Sequence, residues 1–89
     1  MTELDVQIVN RLGLHARAAA RLVHAANHYK CRITVSKGDS KVDGKSILGL
    51  LTLAAAKGTR LRLSAQGEDE QDALSELSRL IRGRFGEEE

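Results

Sequence analysis

Cys31-Arg32-Ile33-Thr34-Val35-Ser36-Lys37-Gly38-Asp39-Ser40-Lys41-Val42 carries the clearest local pattern in the sequence. Cys31, Ile33 and Val35 alternate with polar neighbours, the period of a strand with one face in a core and the other in water. Lys37 to Ser40 contains Gly38 and predicts a hairpin turn. A short strand around Lys41 and Val42 should follow, and Gly44 ends it. A hairpin joins antiparallel neighbours.

On the N-terminal side, Leu4, Val6 and Ile8 alternate with Asp5 and Gln7, a first strand that Asn10 to Gly13 breaks. From Ala16 the pattern turns helical, with Ala19, Ala20, Val23 and Ala26 spaced for one apolar face. On the other side, Ser46 occupies a helix-cap position ahead of a predicted helix over Ile47 to Ala56, which Lys57-Gly58 stops. Leu61, Leu63 and Ala65 alternate with Arg60, Arg62 and Ser64, giving a fourth strand. A last helix is predicted from Asp69 to Arg84, with Leu74, Leu77 and Ile81 on its core face. Acids lie in its first turn and arginines in its last, as the helix dipole favours. The order β-α-β-β-α-β-α predicts an α+β open-faced sandwich. Its four-stranded, mainly antiparallel sheet carries three helices on one face.

A chain of 89 residues suffices for one domain, expected over residues 1–89, and is too short for two. A core this small leaves shallow pockets, so surface chemistry is the expectation. The net charge of +2 conceals a basic stretch from Arg11 to Lys30, because acids cluster at Glu68 to Asp72 and Glu87 to Glu89. A local basic face attracts anionic ligands or acidic partner surfaces. Tyr29 and Phe85 are the only aromatics. Single-strand nucleic-acid binding usually stacks bases on aromatics, so no nucleic-acid partner is expected. Cys31 is the lone cysteine, which suits a reducing cytoplasm and gives no zinc framework. No apolar run approaches a membrane span and no cleavable signal is visible, so a cytoplasmic location without membrane insertion is expected.

Asn10-Arg11-Leu12-Gly13-Leu14-His15-Ala16-Arg17-Ala18-Ala19 joins a strand to a helix. His15 falls at the helix start, where backbone N–H groups lack partners and the dipole is positive, a ready anion site. Gly13 frees the loop backbone. Arg17 presents a planar fork suited to phosphate. A positive field favours the neutral, nucleophilic imidazole. These parts suit one task, in which His15 attacks a phosphoryl group while the helix N-terminus and Arg17 stabilise its oxygens. A histidine before a helix is more often a cap or a solvated residue, so position alone leaves that reading open.

Gly13-Leu14-His15-Ala16-Arg17, with Asn10-Arg11-Leu12 before it, resembles the phosphohistidine signature of the HPr family, the phosphocarriers of the bacterial phosphotransferase system. Lys45-Ser46-Ile47-Leu48-Gly49-Leu50-Leu51 resembles that family's second signature. Element order, length and the Ala56-Lys57-Gly58-Thr59 turn agree along nearly the whole chain. The resemblance implies a phosphoryl carrier in sugar transport and regulation, not an independent enzyme. His15 would take phosphate on Nδ1 from phospho-enzyme I and pass it to an enzyme IIA-type acceptor, with Arg17 assisting. It implies no cofactor. Ala18 stands where the family commonly has proline, which should alter local rigidity rather than abolish the chemistry.

From Ile47 to Ala54, one helix face can bury Ile47, Leu50, Leu51 and Ala54 together, leaving Leu48 and Leu53 to point away. Exposed apolar surface on so small a protein suggests a docking patch, though another element could equally cover it. The resemblance favours docking through Ile47, Leu48 and Leu51. Ser46 reads locally as a helix cap. The resemblance adds a regulatory role as the target of HPr kinase/phosphorylase, a further implied partner. Phosphate there would add about −1.5 to −2 charges beside the patch.

Other signals carry less. Gly44-Lys45-Ser46 invites a P-loop reading, but five residues separate Gly38 from Gly44 where that loop needs four. His24 and His28, four apart on a helix, have no local acidic or cysteine ligand, so no metal is expected. Arg60 and Arg62 with Arg17 and Arg21 lack an aromatic platform for RNA. Cys31 is expected in the core. The alternatives to a sugar-system carrier are a regulatory or nitrogen-branch phosphocarrier and a non-catalytic interaction module. Retention of Gly13 and Arg17 around His15 argues against the module. A monomer suits a shuttle that meets its partners briefly.

Overall fold

Four strands form one sheet in the order β1-β4-β2-β3, and every neighbouring pair is antiparallel. In the computed structural model, which describes residues 1–89, the strands are β1 (Thr2–Gln7), β2 (Arg32–Lys37), β3 (Ser40–Asp43) and β4 (Arg60–Gln66). Three α-helices, α1 (Ala16–Ala26), α2 (Ile47–Thr52) and α3 (Glu70–Arg82), alternate with them, and a single 3-10 turn follows at Arg84–Gly86.

The register sorts side chains by chemistry. Leu4 faces Leu63, Val6 faces Leu61, Ile33 faces Ala65 and Val35 faces Leu63. These residues line the inner face, and all but the part-buried Leu4 are buried. The alternate positions line the open face, where Asp5 sits opposite Arg62 and accepts its Nε–H at 2.9 Å. A period of two therefore leaves only one face for the helices to cover. α3 packs on β1 and β4, and α1 packs against both α2 and α3. Leu74, Leu77 and Ile81 are buried as the sequence predicts. The hairpin closes between Lys37 and Ser40, with Gly38 at φ +57°.

Four local expectations are corrected. α2 stops at Thr52, whereas the apolar run predicts a helix through Ala56. Ala54 takes a left-handed φ of +50°, and the Ala55 carbonyl turns to accept the N–H of Leu14 at 2.8 Å. The segment after α2 thus leaves the helix to support the loop before α1. Burial also differs from the helical-face expectation: Leu53, at the end of α2, is buried, and Ile47, at its start, is exposed. On α1 the buried face runs through Ala18, Ala19, Leu22, Val23, Ala25 and Ala26, and Ala20 faces outward. α3 ends at Arg82 rather than Arg84, because Arg84 and Phe85 both adopt positive φ. No helix is long and apolar enough to cross a membrane.

Candidate functional site

The loop from Val9 to His15 is shaped by its own backbone. Gly13 N–H donates to the Asn10 carbonyl at 3.2 Å, and His15 N–H donates to the Gly13 carbonyl at 2.9 Å. Gly13 sits at φ +72°, a region open chiefly to glycine. This tight loop delivers His15 to the N-cap of α1 in an extended conformation (φ −80°, ψ −178°). Its carbonyl accepts the N–H of Ala19 at 2.8 Å, closing the first helical turn. Its side chain makes no capping bond, so the first N–H groups of α1 stay open beside it. Arg17 projects from that same turn and is exposed, with no carboxylate paired to it. Ala18 is fully buried one residue on.

A group that the sequence pattern does not reveal completes the site. Glu87 Oε2 contacts Nε2 of His15, and Glu87 Oε1 accepts from Asn10 Nδ2 at 2.9 Å. Asn10 is fully buried and also donates from Nδ2 to the Gly13 carbonyl at 2.8 Å. Both of these partners are acceptors, so the amide nitrogen must face them. The Asn10 and His15 bonds, in that order, hold the Glu87 carboxyl below the usual carboxylate range. The positive field expected from the helix N-terminus and Arg17 is thus joined by an acid, the charged side chain paired with the imidazole. In the sequence Glu87 stands only as one of a cluster of three glutamates, and its contact with His15 spans 72 residues.

Ser46 sits at the N-cap of α2, where its Oγ accepts the N–H of Gly49 at 3.0 Å. Beyond it Leu48 is 77% exposed and Ile47 40%, whereas Leu51 is half-buried. Leu12, on the histidine loop, is 59% exposed and belongs with them as an apolar surface residue that sequence periodicity does not flag. The loops carrying the two groups are tied through Leu14 and Ala55. His24 and His28 are exposed, their rings edge to face with centroids 5.0 Å apart, and Cys31 is buried in the core. A concavity on the open face of the sheet, lined by Asp5, Lys41 and Arg62 among others, does not include His15.

A half-exposed imidazole at an uncapped helix N-terminus, with an arginine in the same turn, is an arrangement for receiving an anion. The family model described as the PTS HPr component phosphorylation site matches residues 2–83. The chain belongs to the HPr family. It is 48% identical to the phosphocarrier protein HPr of Neisseria meningitidis, with both chains covered in full. It is 50% identical to the HPr of Pseudomonas aeruginosa over 90 aligned residues, again with full coverage of both. Among solved structures, HPr-C-His from Thermoanaerobacter tengcongensis superposes with a TM-score of 0.96 at 43% identity over the whole of both chains. Crh, the catabolite repression HPr of Bacillus subtilis, superposes with a TM-score of 0.76 at 40% identity, covering 94% of this chain and 97% of Crh. As an HPr, the chain is a phosphoryl carrier with a histidine phosphorylation site and not an enzyme. Its partners are those of the phosphotransferase system in general.

Proposed function

We propose that His15 is the phosphoryl acceptor of this carrier and that Nδ1 is the accepting atom. The observation that carries the proposal is the contact of Nε2 with Glu87, which leaves Nδ1 as the ring nitrogen without a hydrogen bond, beside the open first turn of α1. Arg17, exposed and unpaired in that turn, neutralises the arriving phosphate oxygens. Phosphate comes from phospho-enzyme I and leaves to an enzyme IIA-type acceptor. Both dock over the apolar residues Ile47, Leu48 and Leu51 together with Leu12. The chain works as one domain over residues 1–89, in the cytoplasm and as a monomer.

Ser46 is the regulatory position, modified by an HPr kinase/phosphorylase. Its support is local: the hydroxyl caps α2 directly before the exposed Ile47 and Leu48, so a phosphate would alter the charge of the docking patch. Likeness to Crh, whose name refers to catabolite repression, favours this regulatory reading beside the transport one.

The test is phosphoryl transfer from phosphoenolpyruvate through enzyme I to the wild type and to His15→Ala. Intact mass is expected to show one acid-labile, alkali-stable phosphate on the wild type and none on the variant. Equal labelling of both would place the phosphate elsewhere and overturn the assignment.

A further inference from the structure

The residues that follow α3 are built as a strap across the histidine loop. Phe85 is buried, and its carbonyl accepts from Nη1 of Arg21 on α1. Arg84, Phe85 and Gly86 all adopt positive φ, at 59°, 54° and 80°. For Arg84 and Phe85 that conformation is costly and persists only where the surroundings hold it. Beyond the turn, Arg11 N–H donates to the Glu89 carbonyl at 2.7 Å and Arg11 Nε approaches Glu89 Oε2 at 2.6 Å. Glu87 is thus fixed from both sides. Its side chain is only 14% exposed, against 26% for His15. Each of its oxygens takes a separate donor, Asn10 Nδ2 and His15 Nε2, which suits a carboxylate and not an amide.

We propose that Glu87 is a positioning residue for phosphoryl transfer. It grips the imidazole of His15 by Nε2–H, turns Nδ1 toward the N-terminus of α1, and balances the charge of the phosphorylated ring. The inference rests on His15 being the acceptor. In the transfer, the Nδ1 lone pair forms the bond to phosphorus. The bond from phosphorus to the donor's leaving atom breaks, and that atom keeps the electron pair. The Nε2 proton stays on the ring, which becomes cationic beside the Glu87 carboxylate. A carboxylate that orients an imidazole through its far nitrogen and then stabilises the imidazolium is established chemistry in hydrolases. Here the same geometry serves a nucleophilic histidine, and buried Asn10 holds the carboxylate in place.

The experiment compares wild type, Glu87→Gln and Glu87→Ala. Glu87→Gln keeps the size of the side chain and leaves Phe85 and Arg11 to anchor the strap. Proton–nitrogen magnetic resonance of the His15 ring reports on the grip, and the rate of phosphate acceptance from enzyme I reports on its use. The wild type is expected to show a Nε2–H signal protected from exchange, Glu87→Ala to lose it, and Glu87→Gln to weaken it, because one amide oxygen then serves two donors. Acceptance should fall by roughly three- to tenfold in both, the loss expected of one hydrogen bond. An unchanged Nε2–H signal, or an unchanged rate, in a folded variant would overturn the proposal. A labelled His15→Ala would instead overturn the reading of His15 on which it rests, so the two failures are distinguishable.

Discussion

Gly13 lies against the backbone of Ala55 so closely that a Cβ at Gly13 would stand 2.6 Å from the Ala55 carbonyl oxygen. That same oxygen accepts the N–H of Leu14. Two independent reasons therefore require glycine, the φ of +72° and the missing space. Gly13→Ala is expected to lose about 1–3 kcal/mol in urea unfolding. It should also slow phosphate acceptance, because the displaced loop carries His15.

Tyr29 and Glu76 tie the segment after α1 to α3. The tyrosine hydroxyl donates to Glu76 Oε1, and that bond is the main reason its pKa is pushed up to about 12 from the ordinary value of 10.0. A raised pKa in the folded state means that the protonated form is the stabilising one. The contribution is complete below about pH 10. It is lost as the pH rises toward about 12. Urea midpoints measured across that range should fall more steeply for the wild type than for Tyr29→Phe, which has no proton to lose.

Ser46 separates capping from regulation. Ser46→Ala removes the acceptor for Gly49 N–H and should cost about 1 kcal/mol of stability. Ser46→Asp keeps an acceptor and places its charge at the favourable end of α2. It should remain near wild-type stability yet accept phosphate from enzyme I more slowly, because the charge stands beside Ile47 and Leu48. An acceptance rate equal to wild type would count against regulation at this position.

Leu48 and Leu50 are two residues apart and have opposite fates, 77% and 0% exposed. Leu50→Ala should cost about 2–5 kcal/mol, as deletion of a buried leucine does. Leu48→Ala should change stability by no more than about 0.5 kcal/mol. Its effect is expected instead in a weaker encounter with enzyme I, measured as a raised KM for the carrier with little change at saturation. Unaltered kinetics would remove Leu48 from the docking surface.

The strands, the hairpin at Gly38 and the core face of α3 were legible because each repeats a local period over several residues. The place of His15 at the start of α1 was equally legible, since a strand pattern stops at Asn10 and a helical one begins at Ala16. The end of α2 was not. The run from Ile47 to Ala56 is rich in good helix formers, and nothing local announces that Ala54 takes a left-handed φ or that Ala55 serves the loop before α1. That geometry is imposed by tertiary contacts, which override propensity. The burial of Leu53, the residue at which α2 ends, follows from the same early stop. Glu87 was the least legible of all. One glutamate in a run of three differs from its neighbours only through where the chain has been carried, and no periodicity encodes a partner 72 residues away.

The distance along the chain between the parts of the histidine site has a consequence for synthesis. β1 pairs with β4, so Thr2 must wait for Ala65, and His15 must wait for Glu87. Contacts between such distant segments form late, because the intervening loop must be closed first. On a translating ribosome the loop around His15 emerges 72 residues ahead of its carboxylate partner. Until residue 87 has cleared the exit tunnel, the nascent chain displays the histidine without the carboxylate that contacts its Nε2. The 72-residue separation thus makes the His15–Glu87 contact a product of the finished fold and not of the local segment that carries the histidine.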